Sequence, residues 1–248
     1  MDVQVGSMSD PDDLPGLAHF CEHMLFLGTR RFPNEGEFDR FIGAAGGSQN
    51  AFTAAEETCY FFDVQGDSLP AALERFADFF VSPLFTEAAT GREVNAIDSE
   101  HSKNLQSDFW REEQLKKTLS DASHPFSRFF TGNRQTLRGG DRKARNALLS
   151  FFDRYYRADG MCFAVVGPQS LDDLQALVTK GFAELPRGGL PLAHTEYDPL
   201  GQPFPTWRQL EREPQLTMAV PVNEVRSLSL LWCVEVKDAQ SWALTKPE

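Results

Sequence analysis

The string His19-Phe20-Cys21-Glu22-His23 gathers two imidazoles and a carboxylate within five residues. On an α-helix each residue turns the chain by about 100°, so His19 and His23 project about 40° apart, one turn above the other. Glu22 falls about 60° to the other side of His19, and all three side chains lie in an arc of about 100°. Two imidazoles so placed suit one zinc ion, and a carboxylate beside them can reach a water on that ion, whose pKa zinc lowers towards 7. This is the inverted form, H-x-x-E-H, of the zinc-peptidase helix motif, with Glu22 in the place of the general base. The competing explanation is a surface helix carrying these residues by chance. Its neighbours argue otherwise: Leu17, Phe20, Leu25, Phe26 and Leu27 make the helix apolar nearly all round. Such a helix is expected to be buried, where unpaired His and Glu are costly and a metal removes the cost.

A catalytic zinc takes three protein ligands and keeps one position open. His101, His124 and His194 are candidates for the third, and so are Glu93 and Glu100. The two glutamates are seven residues apart and share a helix face, rotated by only about 20°. Helix geometry does not choose between them, and a charged pair on a solvated face is the plain alternative. A purely structural zinc site would fill the fourth position with a protein ligand, and no well-placed Cys or His is seen.

The elements that must position these groups follow from periodicity and punctuation. Asp2 to Gly6 alternates like a strand, and Ser7 to Pro15 is rich in turn residues. Helices are expected over Leu17 to Leu27 with Gly28 as its stop, and after an Asn34 cap until Gly43 to Gly47. Ser48 to Thr53 and Thr58 to Val64 read as a hairpin around Ala54 to Glu57. Leu69 to Val81 has the helical apolar period, with Leu73, Phe76, Phe79 and Phe80 on the buried side. A long helical stretch runs from Thr86 to about Leu119, broken once or curved, since Gly91 sits near its start. Ala144 to Arg157 and Leu171 to Glu184 read as helices and Met161 to Val166 as a buried strand. Residues 186–206 hold five of the fifteen prolines and read as an extended loop. It leads to strands over Trp207 to Glu211, Leu216 to Val222 and Ser227 to Val236. The alternation gives an α+β fold, a mixed β-sheet flanked by helices, and a single domain over 1–248, since too few residues follow the loop for a second.

Hydrophobic residues make up 41% and charged residues 24%, the composition of a folded globular chain. With 24 Lys and Arg against 36 Asp and Glu, net charge −12, no basic patch offers itself to nucleic acid or to an anionic membrane. Cys21, Cys59, Cys162 and Cys233 are scattered, neither a disulfide framework nor a thiolate zinc site. Together with the lack of an apolar run or targeting signal, this gives a cytoplasmic location as the expectation.

The motif's surroundings go further. Ser9-Asp10-Pro11, then Gly-Leu-Ala-His-Phe-Cys-Glu-His-Met-Leu-Phe-Leu-Gly-Thr from Gly16 to Thr29, resemble the pitrilysin/insulysin family of zinc metallopeptidases, nearest its insulin-degrading-enzyme branch. Gly47 with Asn50-Ala51-Phe52-Thr53, the run Arg92 to Glu100, His124-Pro125-Phe126 and Thr131-Gly132-Asn133 extend the resemblance, which runs from about Asp2 to about Leu230. It implies one Zn2+ per chain, held by His19, His23 and Glu100, because the family's third ligand follows the second His after 76 residues, here positions 24 to 99. It implies Glu22 as general base and Glu93 as a carboxylate behind a ligand His. It implies peptide substrates added as an extra strand along Asn50, Ala51, Phe52 and Thr53, with Phe26 and Trp110 flanking the scissile bond. For Phe26, ordinary core packing is an equal reading. Where related insulysins carry a second aromatic a turn after Trp110, this chain has Glu113. Family members begin with about one more strand before Asp2 and continue beyond residue 248 with further domains that close a chamber. From about Leu231 the chain no longer follows them. The expectation is therefore a zinc metalloendopeptidase domain that works with a C-terminal half or further family domains; the alternative is a zinc-loaded, inactive peptide-binding domain or subunit.

Overall fold

A computed structural model of the chain describes residues 1–188, 191–205 and 216–231. Its elements in order are β1 (Asp2–Val3), α1 (Leu17–Leu25), α2 (Glu37–Ala44), β2 (Ser48–Thr53), β3 (Thr58–Asp63), α3 (Leu69–Val81), α4 (Glu87–Asn104), α5 (Asp108–Leu119), α6 (Arg142–Tyr155), β4 (Met161–Cys162), α7 (Leu171–Gly181) and α8 (His194–Tyr197). The class is α+β. The sheet has the order β2-β3-β1-β4, and every pairing among the described residues is antiparallel rather than mixed. The hairpin forms in the expected register, Ser48 opposite Asp63 and Thr53 opposite Thr58. β2 is an edge strand.

Helix α1 packs against β2, α4 and α6. Its apolar residues Leu17, Phe20, Met24 and Leu25 are all buried, as an all-round apolar helix requires. The core continues through aromatic side chains: Phe38, Tyr60, Phe76, Phe79, Phe80 and Tyr156 are buried, and the hydroxyls of Tyr60 and Tyr156 share a 2.7 Å hydrogen bond. That bond satisfies the two phenols inside an apolar cluster.

The start of α1 is fixed from a distance. The carboxylate of Asp10, 3% exposed, accepts hydrogen bonds from the amides of Gly16 (2.6 Å) and Ala18 (2.7 Å). It satisfies two donors that a helix N-terminus leaves unpaired. Burial pushes the Asp10 carboxyl up to about 7 in spite of these amide bonds. Because that value lies above the ordinary carboxylate value of about 3.9, the folded chain binds more protons than the unfolded one between these limits. The stability contributed by Asp10 is therefore full below about pH 4 and is lost as pH rises through about 7. Asp10→Ala leaves both amides buried without partners and should cost about 2 to 4 kcal/mol, read as a lower urea midpoint at pH 6. A midpoint equal to the parent's would refute this capping role.

Several expected boundaries move. β1 covers only Asp2–Val3 of the expected Asp2 to Gly6. The cap of α2 is Gly36, while Asn34 contributes its main-chain carbonyl to the Glu37 amide (3.1 Å). The long helical stretch breaks at Leu105 to Ser107, where the closing bonds tighten to three-residue spacing, and not at Gly91, which stays inside α4. β4 ends at Cys162, because its partner β1 offers only two residues to pair. The 186–206 stretch includes the short helix α8 and a turn over Asp198–Leu200. Trp207 to Glu211 lies outside the described residues. Leu216 to Val222 forms no strand among the described residues, and Val222 and Asn223 donate their amides to Asp108 (2.8 and 3.0 Å). The strand expected over Ser227 to Val236 has no ladder in its described part, to Leu231, and the rest lies outside the described residues. Among the described residues no helix is long and apolar enough to cross a membrane.

Candidate metal centre

His19 and His23 lie one turn apart on α1, their ring centroids 4.6 Å apart and their planes at 84°. Glu93 and Glu100 project from α4, which packs on α1. Each imidazole has its Nδ1 committed. His19 Nδ1 meets the main-chain carbonyl of Thr131 at 2.7 Å, and His23 Nδ1 meets Glu93 Oε1 at 2.8 Å. A carbonyl and a carboxylate can only accept, so both Nδ1 atoms carry the proton and both Nε2 atoms present a lone pair. These two Nε2 atoms are 3.2 Å apart, and Glu100 Oε2 stands 3.6 Å from His19 Nε2 and 3.5 Å from His23 Nε2.

Three acceptors facing one another need a positive charge between them. The two carboxylates supply that pull: burial opposes a charge on His23, but Glu100 and Glu93 outweigh it and raise the imidazole to about 9. Glu100 is held below the ordinary carboxylate range, first by its bond to His23. A zinc ion fits the same place. At Zn–N distances of about 2.0 to 2.1 Å and tetrahedral angles, two ligand nitrogens lie about 3.3 Å apart, and the two Nε2 atoms are already at 3.2 Å. Among the described residues, His19, His23 and Glu100 are the group able to hold a metal ion. His101, His124 and His194 do not join them. The ring of His101 packs on Phe129 (4.9 Å), and His124 is buried with its ring bonded to the Phe126 amide and the Gly201 carbonyl.

Glu22 is 8% exposed and accepts a 2.5 Å hydrogen bond on Oε2 from the hydroxyl of Thr53, the last residue of β2. The edge strand and the carboxylate are thus joined directly. Asn50, Ala51, Phe52 and Thr53 all lie on that strand, with Phe52 exposed. The amide of Ala51 is taken by the Asn50 side-chain oxygen at 2.9 Å. Phe26 packs on Phe79 (5.2 Å) and Tyr60 (6.1 Å), at the rim of the aromatic core. Trp110 is half exposed on α5, against Phe109 and Phe130, and Glu113 pairs with Lys116 at 2.7 Å. The contacts that periodicity cannot disclose are the Thr131 carbonyl and the Thr53 hydroxyl. Thr131-Gly132-Asn133 stood out in the sequence only as a matching string.

The chain is similar to known proteins along most of its length. Residues 1–123 match the family model described as Insulinase (Peptidase family M16), and residues 143–241 match Peptidase M16 inactive domain. The insulin-degrading enzymes of Bos taurus and Homo sapiens are each 45% identical over 232 residues, 92% of this chain and 22% of theirs. The A-factor-processing enzyme of Saccharomyces cerevisiae is 38% identical over 240 residues, 94% of this chain and 22% of its own. The chain therefore spans about a fifth of the length of these curated relatives. Among solved structures, pitrilysin superposes with a TM-score of 0.72 at 32% identity, over 77% of this chain and 20% of that one. A protease from Helicobacter pylori shares the fold, with a TM-score of 0.69 at 24% identity, over 77% of this chain and 46% of that one.

Proposed function

Because the chain belongs to the pitrilysin/insulysin family, on its insulin-degrading-enzyme branch, we propose that it is the zinc-binding, catalytic part of a metalloendopeptidase. The observation that carries the reading is the convergence of three acceptors, His19 Nε2, His23 Nε2 and Glu100 Oε2, with each imidazole's other nitrogen already held. When bound, one zinc supplies Lewis acidity to a peptide carbonyl and acidifies the attacking water. The remaining work falls to the chain's own residues. Glu22, whose Oε2 accepts the Thr53 hydroxyl, takes the water's proton and returns it to the departing amine. Glu93 keeps the His23 ring in place. An extended peptide pairs with the edge strand β2 along Asn50 to Thr53, while Phe26 and Trp110 flank the scissile bond.

One domain over 1–248 is part of this reading. Leu148, Phe151 and Tyr156, which lie in the span matched by the second family model, are buried in the same core as Phe20 and Met24. A cytoplasmic location is also part of it, supported by the free thiols of Cys21, Cys59 and Cys162.

Metal analysis of the purified chain tests the ligand set. One zinc per chain is expected, with His19→Ala and Glu100→Ala each losing most of it. Glu93→Ala should weaken affinity by about 10- to 100-fold yet still fill at high zinc. Occupancy unchanged by Glu100→Ala but abolished by Glu93→Ala would show that the third ligand is misassigned.

A further inference from the structure

The proposed ligands come from two helices, His19 and His23 from α1 and Glu100 from α4, so the spacing of the metal site is a helix-to-helix distance. A shift of one residue along its axis moves a helix by about 1.5 Å, enough to spoil the convergence of ligands from two helices. One segment touches both helices through its main chain. On the α1 side, the Thr131 carbonyl receives His19 Nδ1. There Gly132, at φ 80°, lies so close to Gly16 that a Cβ on Gly16 would stand 2.3 Å from Gly132 Cα. On the α4 side, the Arg134 amide donates to Asp98 Oδ1 at 2.9 Å, and a Cβ on Gly140 would stand 2.9 Å from Gly91 Cα.

The segment is itself held firmly. Asn133 Oδ1 accepts the amides of Gln135 and Thr136, both at 2.9 Å, which closes the turn between the two sets of contacts. Upstream, the buried Lys117 places its ammonium 4.3 and 4.8 Å from the rings of Phe126 and Phe130 and bonds the Phe126 carbonyl at 3.3 Å. Arg128 donates to the Asp10 carbonyl at 2.8 Å and pairs with Asp12 at 2.6 Å. The same aspartate whose side chain caps α1 thus also anchors this segment through its carbonyl.

We propose that residues 124–140 form a brace that sets the separation of α1 and α4, with Thr131, Gly132 and Arg134 as positioning residues for the metal site. The inference rests on the zinc reading above, and its effect is on metal affinity. Thr131 acts through its carbonyl, so its side chain is not the lever. Gly132 is: an added Cβ would stand 3.0 Å from Leu137 Cδ1 and 3.2 Å from the backbone of Gly16, and relief of the Gly16 contact by a few tenths of an ångström shifts the brace relative to α1. Gly139 supplies a matched control, with φ 64° and nothing within 4 Å of an added Cβ, so Gly139→Ala carries the left-handed backbone cost without the push.

The test is zinc affinity of the whole 248-residue chain, by competition with a chelator of known affinity, alongside thermal unfolding in the metal-free state. Gly132→Ala and Gly139→Ala should both lower the metal-free melting temperature, Gly132→Ala by more, while only Gly132→Ala weakens zinc binding, by about tenfold or more. Asp98→Ala, which removes the acceptor on α4, should weaken zinc several-fold, and Asp98→Asn, which keeps an acceptor oxygen, should bind as the parent does. If Gly132→Ala does not fold, the Asp98 pair decides. Zinc affinity within twofold of the parent in every folded variant among Gly132→Ala and Asp98→Ala overturns the brace, as does an equal loss in Asp98→Asn and Asp98→Ala. A parent chain that holds no zinc overturns the metal reading and the brace together, and the parent control tells that case apart.

Discussion

Glu22→Gln is expected to leave zinc content at the parent level and to lower peptide hydrolysis by about 10²- to 10⁴-fold, the usual range for loss of a general base. The amide keeps the shape of the side chain and can still accept the Thr53 hydroxyl at one oxygen. What it cannot do is take a proton from water. Glu22 lies almost fully buried beside His23 on α1 but outside the group that can hold the metal, so the change does not touch a ligand. The measurement needs an assembly that cleaves peptides at a readable rate, this chain together with the further family domains. Metal content is determined on the same samples. Unaltered zinc with the parent's rate in Glu22→Gln would remove Glu22 from the role of base. Loss of zinc together with rate would instead make Glu22 part of the metal's support. The two outcomes separate proton transfer from binding.

How much of this was legible in the sequence depends on how local each interaction is. The two imidazoles and Glu22 sit within one turn and a half of helix, so their relative placement follows from helical geometry. Burial of α1 followed from the same few residues, Leu17 to Leu27. The choice between Glu93 and Glu100 did not, because one helical face carries both. What separates them in the structure is which ring nitrogen each one meets: Glu100 faces the two Nε2 atoms and Glu93 takes Nδ1 of His23. That difference is made by the packing of α4 on α1, which periodicity does not encode, and only the resemblance to the family pointed to Glu100. Asp10 and Thr131 were opaque for another reason. Asp10 caps a helix that starts seven residues later, and Thr131 acts through a carbonyl, a group that every residue has. Met161 to Val166 reads as a strand because its residues favour one, yet a ladder also needs a partner of matching length, and β1 gives two residues. The helix break illustrates competition: Gly91 is the weakest helix former in the stretch, but it tolerates the helix and takes the close approach of Gly140, while the chain turns instead at Leu105 to Ser107.

The 248-residue chain by itself should bind zinc and cleave a flexible peptide at least about a hundredfold more slowly than it does with the rest of a family enzyme supplied. The site is open: Glu100 has 39% of its side chain exposed, Phe52 and Trp110 are exposed on elements proposed to meet substrate, and β2 can hold a peptide along one edge only. Water reaching the reacting carbonyl weakens every electrostatic interaction that would stabilise charge in the transition state. One-sided holding also leaves the scissile bond free to shift, and a displacement of about 1 Å can lower a rate on the order of a hundredfold. Zinc binding needs none of that enclosure, since the three ligand atoms proposed for it already converge within 4.8 Å of one another. Metal occupancy and turnover are therefore expected to part company in the isolated chain. The comparison is cleavage of a quenched fluorescent peptide by zinc-loaded, monodisperse chain alone, and after addition of a separately expressed C-terminal half of an insulin-degrading enzyme. Zinc-dependent turnover at a similar rate in both would mean that residues 1–248 position a peptide without help, and that the exposed edge and the Glu22–Thr53 pair suffice for hydrolysis.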